Sequence, residues 1–169
     1  MKKITSYLSI VTVIFFTSCS TDNKVNKSKS QTQPPKILEN MHIYGVTDFE
    51  YTMNGKQAVS ITFGVTEKNN CSATIHRKSV KKGYSIEMKN KNSGDLSIEC
   101  NWDGKYYVQS SKHPTLTRLK IKSIDPKLKE AEVVVSVNVV EPISNKYLDI
   151  GTNTIKVSGQ NFDNLVKKM

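Results

Sequence analysis

The sequence predicts an all-β domain, a small antiparallel β-sandwich with a barrel as the alternative closure, ending in a short helical turn. Three observations carry this. From about residue 41 apolar and polar residues alternate with period two, the signature of half-buried strands. Two dipeptides, Asn54-Gly55 and Asp103-Gly104, have the chemistry of tight hairpin turns, because both positions tolerate positive φ. About nine short runs follow one another at turn-separated intervals, the spacing of sandwiches and barrels.

In "DFEYTM" Phe49, Tyr51 and Met53 alternate with Asp48, Glu50 and Thr52, and beyond Asn54-Gly55 the run "AVSITFGV" sets Val59, Ile61, Phe63 and Val65 against small or polar partners. These two runs make a hairpin. Further strands are expected over 71–77, 84–89, 96–102 and 105–109, the last two joined by Asp103-Gly104. Residues 116–124 and 132–140 flank "DPKLKEA", a proline-containing turn, and a short strand near 153–157 closes the sheet region. In the final "NFDNLVKK", Phe162, Leu165 and Val166 fall at helical spacing. No internal repeat occurs, and 41–169 is long enough to bury the core of one domain.

The N-terminus has a different grammar. Met1-Lys2-Lys3 is basic, "ITSYLSIVTVIFF" is apolar and uncharged, and the small pair Thr17-Ser18 follows, which is the layout of a secretory signal. The apolar stretch is short against the roughly 20 residues of a transmembrane helix. The four residues Phe16-Thr17-Ser18-Cys19 resemble the lipobox of bacterial lipoproteins, with Phe16 where that family prefers Leu, Val or Ile. The resemblance implies that residues 1–18 are removed, and that Cys19 becomes the first residue and carries acyl chains. Stable anchoring takes two or more such chains. An ordinary secretory signal would instead leave Cys19 an unpaired thiol.

The "TSCS" ending and the Lys- and Asn-rich sequence after it are similar to lipoproteins of Bacteroidota. Their surface-export signal is an acidic cluster, of which only Asp22 stands here. Ser20 resembles the residue that directs outer-membrane sorting in enteric bacteria. The localisation implied is the bacterial envelope, lipid-anchored, at the outer membrane facing the periplasm. Residues 19–40 form the acylated cysteine and a tether. Their "STDNKVNKSKSQTQPPK" is polar, free of aromatics and closed by a proline pair, with too little apolar surface to offset the entropy of ordering. As a random coil of its length it would span roughly 20–25 Å.

With Cys19 so assigned, Cys71 and Cys100 remain, and an even count in an exported protein points to a disulfide. Cys71 shares a strand face with Ala73 and Ile75, and Cys100 with Leu96, Ile98 and Trp102, so both sulfurs should face the core. A flat three-stranded meander over 71–102 would hold the two cysteines far beyond the ~7 Å Cα limit for bridging. Either the bond is absent, or the segment crosses between packed sheets or curls strongly; the bond, and with it a two-sheet sandwich, is the expectation. A bridge with Trp102 beside it is similar to immunoglobulin-like cores, although the cysteine spacing is short for that family.

Of the 25 basic residues, Lys2 and Lys3 fall in the signal, leaving 23 against 15 acidic ones, a formal +8. The arginines are only Arg77 and Arg118, whereas arginine is the residue suited to bidentate phosphate and base recognition. The scattered lysines and the envelope compartment argue against nucleic acid. They fit a solvated lysine-rich surface, with anionic lipid headgroups or acidic glycans as the partners such a surface attracts.

Catalytic chemistry finds little purchase. His42, His76 and His113 stand apart from each other and from any cysteine at metal-ligand spacing, and His76 alternates outward beside Ile75. G-x-S-x-G, H-E-x-x-H, C-x-x-C and phosphate-cradling glycine loops are absent from the sequence. Asp48 and Glu50 share one strand face, as an exposed polar strip or as a carboxylate pair. No cofactor, metal or catalytic residue is assigned. The candidate binding surface is the hairpin "NWDGKYYVQSS", with Trp102, Lys105, Tyr106 and Tyr107; one tyrosine is expected outward, suited to stacking on a sugar or anchoring a protein. The functional expectation is a non-catalytic, lipid-anchored envelope module that binds a partner or supports the envelope. The alternative is an inhibitor or immunity protein neutralising an envelope-targeted toxin or hydrolase. Small disulfide-bonded β lipoproteins that inhibit lysozyme are similar in size and plan, but the basic charge here suits an acidic target.

Overall fold

In the computed structural model, the structure describes residues 41–90 and 94–167, so the expectations for the signal, Cys19 and the tether lie outside the described residues. All nine expected strands form: β1 (His42–Met53), β2 (Lys56–Thr66), β3 (Asn69–His76), β4 (Ser85–Lys89), β5 (Leu96–Trp102), β6 (Lys105–Val108), β7 (Leu116–Asp125), β8 (Glu130–Val140) and β9 (Tyr147–Ser158). A single helix α1 (Gly159–Val166) follows, burying Phe162 and Leu165. Every pairing is antiparallel.

The turn chemistry acts as read. Asn54 and Gly55 have φ of 52° and 73°, and Asp103 and Gly104 of 48° and 71°, the doubly left-handed geometry that matches the twist of the flanking strands. Gly64 serves differently. A Cβ there would lie 2.2 Å from the Asn69 carbonyl oxygen, so only glycine admits the close return of β3 along β2.

The strand order is β1-β2-β3-β5-β6-β8-β7-β4, with β9 on the other side of β8. β3 pairs directly with β5, and β4 leaves to pair with β7. Gly83 N–H donates to the Ile121 carbonyl and Ile121 N–H to that of Tyr84, fixing the departure. Cys71 and Cys100 thus become direct cross-strand partners, bonded through sulfur with Cα atoms 3.9 Å apart. The flat meander is avoided, as required, but by expelling β4. The bridge joins neighbours within one sheet and does not cross between sheets, which departs from an immunoglobulin-like core.

Two groups of strands result, β1-β2-β3-β5-β6 and β4-β7-β8-β9, joined in the ladder at one pair, Val108 with Val140. Both give apolar faces to one core, with Ile61, Phe63, Ile75 and Ile98 from the first and Leu119, Val133, Val135 and Ile155 from the second. Where β6 ends, the buried Gln109 side chain continues the link: its Oε1 accepts the Ile98 N–H at 2.9 Å and its Nε2 donates to Thr117 Oγ1 at 2.5 Å.

The sheet does not close into a barrel. β1, β4 and β9 remain edges, and α1 packs against β1 and β9. Asn161 Oδ1 accepts the Val46 N–H at 3.0 Å, and Asn164 Nδ2 donates to the Val46 carbonyl at 3.0 Å. Two side chains thereby satisfy the outward backbone groups that a neighbouring strand would otherwise take.

Two measurements check this architecture. Replacing both cysteines by serine opens a loop of sequence separation 29 and should lower unfolding free energy by about 3 kcal/mol in urea titration. Gln109→Leu leaves the Ile98 N–H and the Thr117 hydroxyl without these partners, for an expected loss of about 1–3 kcal/mol. A change under a few tenths would show that the amide does not join the halves.

Candidate binding surfaces

The β5–β6 hairpin separates its four candidate residues by face. Tyr107 lies opposite Cys100 and turns into the core, 8% exposed. Burial pushes its phenol pKa up, with the Glu141 and Asp103 charges adding to it. Tyr106 points the other way and is 48% exposed. Its hydroxyl donates to the Glu99 carboxylate. That bond, with burial and the Glu99 charge behind it, raises the phenol to about 12. Lys105 is exposed, and Trp102 is half-buried against the core. The hairpin thus offers Tyr106 and Lys105 to solvent and spends Tyr107 on the core.

The tip is held in place. Asn69, the first residue of β3, donates through Nδ2 to Asp103 Oδ1 at 3.1 Å and accepts the Asp103 N–H at 2.8 Å. At the same end, the Glu141 carboxylate accepts the Ile143 and Ser144 N–H groups at 3.1 and 2.7 Å, shaping the β8–β9 loop. Hydrogen bonds from the Ser144 side chain and backbone hold its pKa below the usual carboxylate range, helped by Ile143 N–H and the Lys105 charge. Ile143 stands 92% exposed on this loop and Tyr147 46% just after it. Tyr147 pairs with Val140 and Val140 with Val108, so Tyr106 and Tyr147 occupy the same sheet face.

A second surface, which the sequence reading did not find, lies at the opposite end. There a 3-10 turn (Arg77–Ser79), the end of β7 and the end of α1 surround an open groove of about 650 Å³. Its lining is Arg77, Lys78, Val80, Ile124, Pro126, Leu165, Val166 and Lys167. Arg77 is buried, and its Nη1 donates to the Asn164 and Leu165 carbonyls at 2.8 and 2.7 Å. These carbonyls belong to the last helical turn, which lacks intrahelical donors, and the cation also complements the negative end of the helix dipole. In the adjoining β7–β8 turn, Asp125 Oδ1 accepts the Lys127 and Leu128 N–H groups, and Leu128 projects 68% exposed. The local signals were the basic runs "HRKSVKKG" and "DPKLKE"; their convergence on α1 is a product of topology.

His76, expected outward, is buried at 3% exposure. It does alternate away from Ile75, but its cross-strand partner Ala58 is also buried, so this end of the outer face is covered. Its Nε2 lies 3.4 Å from Asp95. The side chains of Asp48 and Glu50 lie outside what the structure describes. Among the described residues no group of three or more His, Cys, Asp or Glu side chains could hold a metal, and no helix is long and apolar enough to cross a membrane. Comparison of the chain with protein-family models, with curated proteins and with solved structures returns no match.

The Tyr106–Glu99 pair predicts a pH response. A raised phenol pKa means that its contribution is complete below about 10 and is lost as pH climbs through about 12. Ultraviolet titration of phenolate, with Tyr106→Phe as the subtraction, should show that the tyrosine removed is a late-ionising one, beside the buried Tyr107. Glu99→Gln should bring it back toward the others. A Tyr106 that ionises with the rest would contradict the hydrogen bond.

Proposed function

We propose that the protein is a lipid-anchored, non-catalytic binding module of the bacterial envelope, held at the outer membrane on the periplasmic side. The observation that carries this is the Cys71–Cys100 bond. It accounts for two of three cysteines, and the third is the one in the lipobox-like Phe16-Thr17-Ser18-Cys19. Disulfides persist in oxidising compartments, which agrees with export. The acyl chains on Cys19 supply the membrane contact, and the domain supplies recognition. Among the described residues the groove lining combines the apolar side chains of Val80, Ile124, Pro126, Leu165 and Val166 with the cations of Arg77, Lys78 and Lys167, a surface suited to binding.

A second reading is favoured by the far end. Tyr106 on β6, Ile143 on the β8–β9 loop and Tyr147 at the start of β9 are exposed beside turns braced by Asn69–Asp103 and Glu141. Such preorganised apolar points suit an inhibitor or immunity protein seated on an acidic toxin or hydrolase.

Acylation is tested in a bacterial host fed an alkynyl fatty acid. The full chain should take up label on the peptide bearing Cys19 and partition with membranes, and Cys19→Ser should abolish both. Equal labelling of the variant would overturn the assignment.

A further inference from the structure

The face of β7-β8-β9 turned away from the core carries a small polar cleft at a break in the ladder. Leu116–Asn138–Asp149 form one cross-strand row and Arg118–Ser136–Thr152 the next. Between the two rows the register of β8 against β9 shifts, and Gly151, at φ 66°, stands in the gap. These residues line an open space of about 180 Å³. The Gly151 N–H donates to Asp149 Oδ1 at 2.8 Å and fixes that carboxylate. Asp149 Oδ2 accepts Asn138 Nδ2 at 3.5 Å, the outer limit of a hydrogen bond. Asn138 Oδ1 is a buried acceptor without a hydrogen-bond partner, a state that native structures rarely leave unexplained. Arg118 is held by Glu87 through Nε, and the Ser136 and Thr152 hydroxyls meet at 2.7 Å. Tyr147, 46% exposed, precedes Asp149 by two residues on the same strand face, about 7 Å along β9.

We propose that this cleft binds one pyranose ring of a neutral glycan, with the adjoining ring stacked on Tyr147. The lining offers both hydrogen-bond roles: Arg118 donates, Asp149 and Asn138 accept, and the Ser136 and Thr152 hydroxyls do either. A sugar hydroxyl also donates and accepts, so one ring can answer all of them. A ligand of net charge fits less well, because an anion would meet Asp149 and a cation would meet Arg118. Leu116 gives the C–H face of the ring an apolar contact, and the Tyr147 phenol does the same for its neighbour. The cleft is smaller than the roughly 300 Å³ at which drug-sized sites begin, so it takes a single ring and leaves the rest of the chain to the strand face. The inference rests on the binding-module reading and deepens it by naming a ligand class. Acylation at Cys19 is covalent and separately measured, so the anchored module can stand while the cleft fails.

The test is retention of the full chain, in a polyoxyethylene detergent, on neutral hexasaccharides of glucose, xylose and N-acetylglucosamine immobilised at their reducing ends. Hexagalacturonate is the charged control. At least one neutral glycan should retain the chain, and raising salt from about 0.05 to about 0.5 M should leave that retention unchanged. Tyr147→Ala and Asp149→Ala should each weaken it roughly three- to tenfold, the loss of one stacking or hydrogen-bonding contact. Circular dichroism is the folding control; Tyr147→Ala trims only an exposed ring and keeps the test open if Asp149→Ala disturbs the bulge. No retention on any of the neutral glycans, retention on hexagalacturonate alone, loss in high salt, or equal retention of the Tyr147 variant would overturn the proposal.

Discussion

The direct pairing of β3 with β5 is the constraint on which the rest of the molecule depends. Cys71 and Cys100 can bond only if no strand lies between them, so residues 77–95 must travel elsewhere. β4 finds its partner on the outer edge of β7, and the excursion carries Arg77, Lys78 and Val80 toward β7 and α1. The sulfur bond restricts the unfolded chain, while the ladder from Asn70–Asn101 to Ile75–Leu96 spreads the same choice along the strands. One topological decision therefore couples the two halves of the sheet and supplies one wall of the groove.

Polar side chains then do what the backbone ladder leaves undone. β6 is short, and its pairing with β8 is a single residue pair, so Gln109 bonds Ile98 and Thr117 in its place. β1 ends one side of the sheet, and Asn161 with Asn164 answers its outward N–H and carbonyl at Val46. Arg77 answers the carbonyls at the far end of the same helix. Each is a buried or half-buried group whose loss would strand a backbone partner, and that asymmetry is costlier than the net gain of the bond itself. The eight-residue α1, too short to be stable alone, is held by these bonds and by Phe162 and Leu165.

Much of the strand set was legible because its signals are local. Alternation along Val133, Val135, Val137 and Val139, and the paired left-handed residues at Asn54-Gly55 and Asp103-Gly104, need no tertiary information. The early start of β9 at Tyr147 was not legible, since a register shift interrupts the alternation at Gly151. The departure of β4 was legible only as a conflict: cysteine geometry excluded the meander without naming the alternative. His76 shows the limit of period two, which assigns a face but not whether that face is covered. At the hairpin, alternation foretold that Tyr106 and Tyr107 would part, and the cross-strand register decides that Tyr107 joins Cys100. The groove's basic runs are visible in the sequence but their convergence is not, because its three walls come from segments far apart in the chain.

The described chain enters and leaves at different ends of the sheet. His42 pairs with Gly64, which pairs with Asn70 near the start of β3, whereas Arg77 follows the end of that strand, roughly 20–25 Å further along. Lys167 is itself a wall of the groove. A reporter or affinity tag fused directly after Lys167 would therefore start beside the groove and crowd it, while one placed ahead of residue 41 would start at the opposite end of the sheet and leave it clear. Where a label is attached thus decides which face of the molecule a capture experiment can see.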